Sequence, residues 1–178
     1  MKKIIAFAGS NSSKSINYQL IKYTASLIEE AEVDALDMSG IAFPIYSEDI
    51  ERTEGFKNSL VELINYIKQA DGLIISVNEH NGTMSAYFKN LIDWMSRFNA
   101  KFLEGKKVFL MSTSNGKLGG KRSLEAVKLI LPFFGAEIIT TFSLPQYNEH
   151  FSPEKGITED NFKKMHQESL QQFLASLA

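Results

Sequence analysis

A chain of 178 residues has the length of one ordinary domain, enough for a single substantial core. Its formal charge of −2, with only three arginines (Arg52, Arg97, Arg122) among 19 Lys and Arg, offers no excess of basic charge for a nucleic-acid partner. The absence of cysteine excludes disulfides, thiolate metal sites and a cysteine nucleophile.

In chain order, the first apolar run is Ile4, Ile5, Ala6, Phe7 and Ala8, which stops at Gly9. A secretory signal needs roughly 7–15 apolar residues, so this run reads as a buried strand, and a cytoplasmic location is expected. No run approaches the roughly 20 apolar residues of a membrane span. Strands are predicted at 3–8, 33–38, 72–77, 107–112 and 137–142; several are apolar almost throughout, as strands covered on both faces are. Five helical stripes alternate with them. They are Ile16, Leu20, Ile21, Leu27 and Ile28; then Phe56, Leu60, Leu63, Ile64 and Ile67; then Met84, Phe88, Leu91, Ile92 and Met95; then Leu124, Val127, Ile130 and Leu131; finally Phe162, Met165, Leu170, Phe173 and Leu177. Alternating strands and helices predict an α/β fold with a parallel sheet between two helix layers, joined by right-handed crossovers. No repeat, linker or low-complexity segment interrupts residues 1–178, so one domain is expected.

In such open sheets ligands bind beyond the carboxyl ends of the strands, where strand order reverses. Three loops there are unusual. The first, Gly9-Ser10-Asn11-Ser12-Ser13-Lys14-Ser15-Ile16-Asn17, could cradle a phosphate with loop amides, hydroxyls and the positive end of a helix dipole. Its bland alternative is a turn whose serine only caps the helix. It lacks the Gly-Lys-Ser/Thr ending of a P-loop and the G-x-G-x-x-G of a dinucleotide fold. The second, Asn78-Glu79-His80-Asn81-Gly82-Thr83-Met84-Ser85, suits the hydrogen-bonding edge of a flat heterocycle, with Gly82 permitting close backbone approach; it is equally readable as a solvated turn. The third, 112–120, is rich in Ser and Gly and leaves room for a ring system or is a plain flexible loop.

Together these loops carry a resemblance. The first fits Gly-Ser-x-Arg-x-x-Ser-x-Asn at Gly9, Ser10, Ser15 and Asn17, with Ser12 in the arginine's place. The second stands as Asn78-Glu79-His80-Asn81 where Pro-Glu-Tyr-Asn is usual, followed by Phe88-Lys89-Asn90-Leu91-Ile92-Asp93-Trp94. The third has Ser114, Gly116, Gly119, Gly120 and Arg122. The chain resembles the NADPH-dependent FMN reductase family over most of its length, from Ile4 to about Phe142. The resemblance implies a flavodoxin-like three-layer sandwich with strand order 2-1-3-4-5. It also implies bound FMN, NADPH or NADH as electron donor, a small-molecule acceptor such as a quinone or azo compound, and a homodimer or homotetramer. Carried over position by position, Ser10, Asn11, Ser12, Ser15, Ile16 and Asn17 would bind the FMN phosphate. Asn78, Glu79, His80, Asn81 and Gly82 would face the isoalloxazine, and Ser112, Ser114 and Gly116 would close its far side. Two alternatives stay open: an electron carrier, whose usual strongly acidic face the net charge of −2 does not supply, and a module that kept the fold and lost the cofactor, which the departures at 12, 78 and 80 allow.

Other residues invite a chemical reading and do not sustain it. His80, His150 and His166 lie far apart without metal-binding spacing, so no metal is expected; His166 reads as a surface or flank residue of the last helix. Asp93 and Trp94 read as structural or as a subunit contact. The acidic run Glu48, Asp49, Glu51 and Glu54 reads as a solvated loop. Hydride transfer between nicotinamide and flavin needs no protein acid or base in its first step, and no catalytic residue is assigned.

Overall fold

The computed structural model describes residues 1–178. Strand β1 (Lys2–Ala8) leads into helix α1 (Ile16–Ser26), strand β2 (Ala31–Leu36), short helix α2 (Glu48–Glu54) and helix α3 (Asn58–Gln69). Strand β3 (Gly72–Val77) follows, then a hairpin of β4 (Glu79–His80) and β5 (Thr83–Met84), helix α4 (Ala86–Phe98), strand β6 (Lys107–Thr113) and helix α5 (Lys121–Ile130). The chain closes with β7 (Glu137–Leu144), one turn of helix α6 (Tyr147–His150), a hairpin of β8 (Phe151–Ser152) and β9 (Gly156–Ile157), and helix α7 (Asp160–Leu177).

The main sheet has order β2-β1-β3-β6-β7 and is parallel throughout. Counting only its own strands, that is the expected 2-1-3-4-5. The period-2 alternation of β1 divides the core: Ile5 and Phe7 join a cluster with Leu60, Ile67, Phe88 and Leu124 from α3, α4 and α5. Ile4, Ala6 and Ala8 face the other way, against Leu20 and Ile21 of α1 and Leu170 and Phe173 of α7. Each fully buried Ile, Leu or Phe contributes roughly 1.5–3 kcal/mol. The chain runs outward from β1 to β2, then returns to β3 and continues to β6 and β7, so the switch point lies between the carboxyl ends of β1 and β3. No helix is long and apolar enough to cross a membrane.

Several sequence expectations are corrected. The acidic run is not a loop but α2, which buries no residue. It forms without an apolar stripe because Ser47 caps Asp49 N and its first-turn carboxylates suit the positive helix end. Glu51 is pinned at 2.9 Å by Arg97 of α4 and at 2.8 Å by the Tyr46 hydroxyl, and these partners hold its carboxyl below the usual range. His166 is fully buried, not on the surface: it lies among Tyr23, Phe109 and Phe142 and meets the Thr24 hydroxyl of α1 at 2.8 Å. Phe56, Met84, Leu27 and Ile28 extend apolar stripes past the helices that carry them. Strand β2 begins and ends two residues earlier than the apolar pattern places it. Trp94 is structural as expected: it is buried and its indole N–H donates to Pro44 O at 2.8 Å.

Candidate functional site

Gly9 follows β1 where α4 packs against it, and a Cβ there would lie 2.8 Å from the Phe88 ring. The Ser85 hydroxyl, which also caps α4, donates to Gly9 O at 3.0 Å, fixing the first loop against the second. At this switch point a cavity of about 220 Å³ joins all three loops. The first loop contributes Ser10, Lys14, Ser15, Ile16 and Asn17; the second Asn78, Glu79 and His80; the third Thr113, Ser114 and Asn115. A larger groove, of about 660 Å³, lies between the carboxyl ends of α1 and α7, at the opposite end of the strands from these loops.

The first loop satisfies part of its own hydrogen bonding. Ser10 Oγ accepts from Ser12 N, Ser12 Oγ from Lys14 N, and Ser12 O from Ser15 N. Ser15 is the N-cap of α1 and accepts from Tyr18 N at 3.2 Å. The amides of Asn11, Ser13, Ile16 and Asn17 have no acceptor within the protein. Unclaimed amides at a helix start are the groups that bind an anion, and Lys14 is the one cation among the cavity residues.

The Asn17 side chain does something the sequence does not announce. Its oxygen accepts from Ser76 Oγ at 2.8 Å and Thr113 N at 3.0 Å, and its Nδ2 donates to Thr113 O at 3.1 Å. It is a strut tying α1 to the ends of β3 and β6, and it leaves only one Nδ2 hydrogen uncommitted. That corrects the expectation that its side chain chiefly serves a phosphate.

The second loop is a tight hairpin. Asn81 (φ 52°) and Gly82 (φ 79°) are both left-handed, as the two central residues of a type I′ turn must be. Asn78 lines the cavity, and its Oδ1 is buried without a partner, beside the 3.4 Å approach of its Nδ2 to His80 Nε2. His80 is exposed. Glu79 borders the cavity, but its carboxylate turns away to accept from Arg122 N at 3.0 Å and Ser123 N at 3.2 Å at the start of α5. Of Glu79, then, the carboxylate is committed to α5, and only the rest of the residue is left to border the cavity.

In the third loop the Ser112 hydroxyl is buried and donates to Gly119 O at 2.8 Å, so it does not reach the cavity. Ser114 Oγ accepts from Gly116 N at 3.3 Å, and Tyr147 N and Gln146 N donate to the carbonyls of Ser114 and Gly116. Of the residues expected at the site, Ser10, Ser15, Ile16, Asn17, Asn78, Glu79, His80 and Ser114 line the cavity; Asn11, Ser12, Asn81, Gly82, Ser112 and Gly116 do not. Lys14, Thr113 and Asn115 line it without having been singled out. A lone lysine within a serine-rich helix start was the available signal for Lys14.

The residues present fit a flavin mononucleotide. A phosphate monoester requires several convergent donors, which the start of α1, the serine hydroxyls and Lys14 supply, and a flavin edge carries an N–H that suits the unmet Asn78 oxygen.

The model of the family described as NADPH-dependent FMN reductase matches residues 2–154. A quinone reductase of Escherichia coli K12 is 32% identical over 138 residues, covering 77% of this chain and 73% of that protein. An NAD(P)H-dependent FMN reductase of Pseudomonas aeruginosa is 26% identical, covering 95% and 91%. Among solved structures, the flavoenzyme FerB, an NAD(P)H:(acceptor) oxidoreductase from Paracoccus denitrificans, superposes with a TM-score of 0.81 at 24% identity over 99% of this chain and 97% of that one. An oxidised flavodoxin from Bacillus cereus gives a TM-score of 0.63 at 17% identity over the whole of both chains, which bears on the fold alone. With a flavodoxin-like sheet, three loops meeting at its switch point and a family match over most of its length, the chain belongs to the NADPH-dependent FMN reductase family.

Proposed function

We propose that this protein is an NAD(P)H-dependent oxidoreductase that holds FMN at the switch point and passes electrons from NADPH or NADH to a small acceptor of the quinone class. The observation that carries the reading is the pairing, in one cavity, of unclaimed amides at the start of α1 with the buried, partnerless Asn78 oxygen. The amides of Ile16 and Asn17, with Ser10, Ser15 and Lys14, hold the phosphate end; Asn78 accepts from the ring edge; Ser114 and the backbone around Thr113 close the far side. When bound, FMN supplies a centre that takes hydride from the nicotinamide and returns two electrons to the acceptor. The protein's own part is to bind, orient and tune, and no side chain here is required as acid or base. The quinone class is supported by the E. coli relative and by a 2-hydroxy-1,4-benzoquinone reductase of a Burkholderia species, 34% identical over 119 residues. Closed symmetry is the commonest state of soluble oligomers, so a cytoplasmic homodimer or homotetramer completes the reading.

Titration of the purified protein with FMN, followed by anaerobic addition of NADPH and then of benzoquinone, tests this. The expected course is stoichiometric binding of a yellow cofactor, bleaching by the nicotinamide and recolouring by the quinone. Absence of binding at high micromolar FMN defeats the reading; bleaching without recolouring leaves a flavoprotein that does not use quinones.

A further inference from the structure

The start of α5 lacks a cap of its own. Its N-cap is Gly120, in a left-handed conformation and without a side chain to offer. Helix starts leave amides that need acceptors, and here the acceptor arrives from another element. A single oxygen of Glu79 takes both Arg122 N and Ser123 N, at 3.0 and 3.2 Å. The buried Ser123 hydroxyl answers by donating to Asn78 O at 2.8 Å. Three bonds thus clasp the start of the β4–β5 hairpin to α5, and they act on Asn78, which carries the unmet oxygen, and on its neighbour Glu79.

The helix end is a firm anchor. The turn before it is held by the hydroxyls of Ser112 and Ser143, which donate to Gly119 O at 2.8 and 3.0 Å. A Cβ on Gly119 would lie 2.7 Å from Pro145 N, so the turn is packed against the end of β7. The hairpin itself has two residues per strand, too short to hold its place unaided.

We propose that Glu79 is a positioning residue: its carboxylate fixes the cavity wall formed by Asn78 to His80, and through that wall it sets the grip on the flavin ring without touching it. This rests on the FMN reading given above. It also explains why a chemically prominent carboxylate borders the cavity without facing it.

Two substitutions separate the clasp from the charge. Because only one oxygen is used, the amide oxygen in Glu79→Gln can accept both hydrogen bonds, whereas Glu79→Ala removes them. Dissociation constants for FMN and for riboflavin, which lacks the phosphate, are measured on the folded variants together with amide exchange of residues 79–84 in flavin-free protein. In Glu79→Ala both flavins are expected to weaken by the same factor, about tenfold, as losing charge-assisted hydrogen bonds implies. Exchange of 79–84 quickens by about tenfold while that of α1 stays unchanged, and Glu79→Gln keeps every value within about threefold.

Unchanged flavin affinities in Glu79→Ala overturn the proposal, even if exchange quickens, for the clasp is then only structural. Weakening of FMN alone overturns it as well, placing Glu79 at the phosphate. If Glu79→Ala does not fold, Ser123→Ala, which removes only the Asn78 arm, carries the test, and unchanged riboflavin affinity there overturns the proposal. Wild-type protein that takes up no flavin defeats the functional reading, and the exchange measurement still decides whether the clasp exists.

Discussion

Helices α1 and α5 enter the site in the same way, each following a central strand of the sheet, yet their starts are finished differently. In α5 every early amide is claimed: Lys121 N donates to Leu118 O, Arg122 N and Ser123 N to Glu79, and Leu124 N to Gly120 O. In α1 the cap reaches only Tyr18 N, with Gln19 N on Ser15 O, and Ile16 N and Asn17 N remain open. Both ends carry the same partial positive charge. What leaves one start open to an anion, as proposed, and makes the other a structural joint is whether the rest of the fold sends it a carboxylate. The comparison teaches that the proposed phosphate cradle rests as much on acceptors withheld from α1 as on donors placed there.

The largest effect expected from attacking this contrast comes from Asn17, which holds the open helix start in place. Asn17→Ala leaves Ser76 Oγ and Thr113 N buried without their acceptor. Two such losses cost about 2–6 kcal/mol, and the apparent melting temperature of the flavin-free protein should fall by roughly 5–20 °C. Thermal and urea unfolding measure it. A melting point within a degree of wild type would show that the strut is dispensable.

Acid should weaken the fold through the layer where α7 meets α1. Thr24 on α1 sends its hydroxyl hydrogen to Leu20 O and receives Nε2–H from His166, an assignment that leaves Nδ1 as a buried lone pair. Burial pushes the His166 imidazole down to about 4, against an ordinary 6.5. The unfolded chain therefore binds a proton that the folded one refuses between these values. Stability from this residue is complete above about pH 6.5 and drains away towards pH 4, by about 3 kcal/mol in all. In His166→Phe, which keeps an aromatic ring among Tyr23, Phe109 and Phe142, the urea midpoint should lose that part of its pH slope. An equal slope in wild type and variant would mean that His166 takes up its proton as readily in the fold as in the unfolded chain.

The five strands and most of the five stripes were legible because burial on both faces writes long apolar runs and the helices write 3.6-residue stripes; the sheet order followed only from the resemblance carried by the three loops. α2 was not, since it is held by a serine cap, charges in its first turn and Arg97, none of which leaves an apolar period. His166 was misplaced because a histidine in a polar stretch gives no sign that three aromatic rings surround it. At the site, the loops were legible as polar sequence at strand ends. The directions of their side chains were not: Asn17 and Glu79 turn inward to partners 96 and 43 or 44 residues away, and such pairings are made by topology, not by neighbours.

The gentlest test alters a single hydrogen. Ile16 is the first residue of α1, where proline is tolerated because its missing N–H breaks no helical bond. The preceding Ser15 already has φ −61° and ψ 115°, the extended conformation that a following proline demands. Ile16→Pro therefore deletes one of the two open amides while leaving the helix intact. Its cost in packing, from a half-buried side chain against the α1 and α7 layer, falls on every ligand alike. If the amide serves the phosphate, FMN should weaken by about tenfold relative to riboflavin, the worth of one hydrogen bond to a charged group. Equal losses of FMN and riboflavin in Ile16→Pro would place the phosphate elsewhere and remove the distinction between the two helix starts.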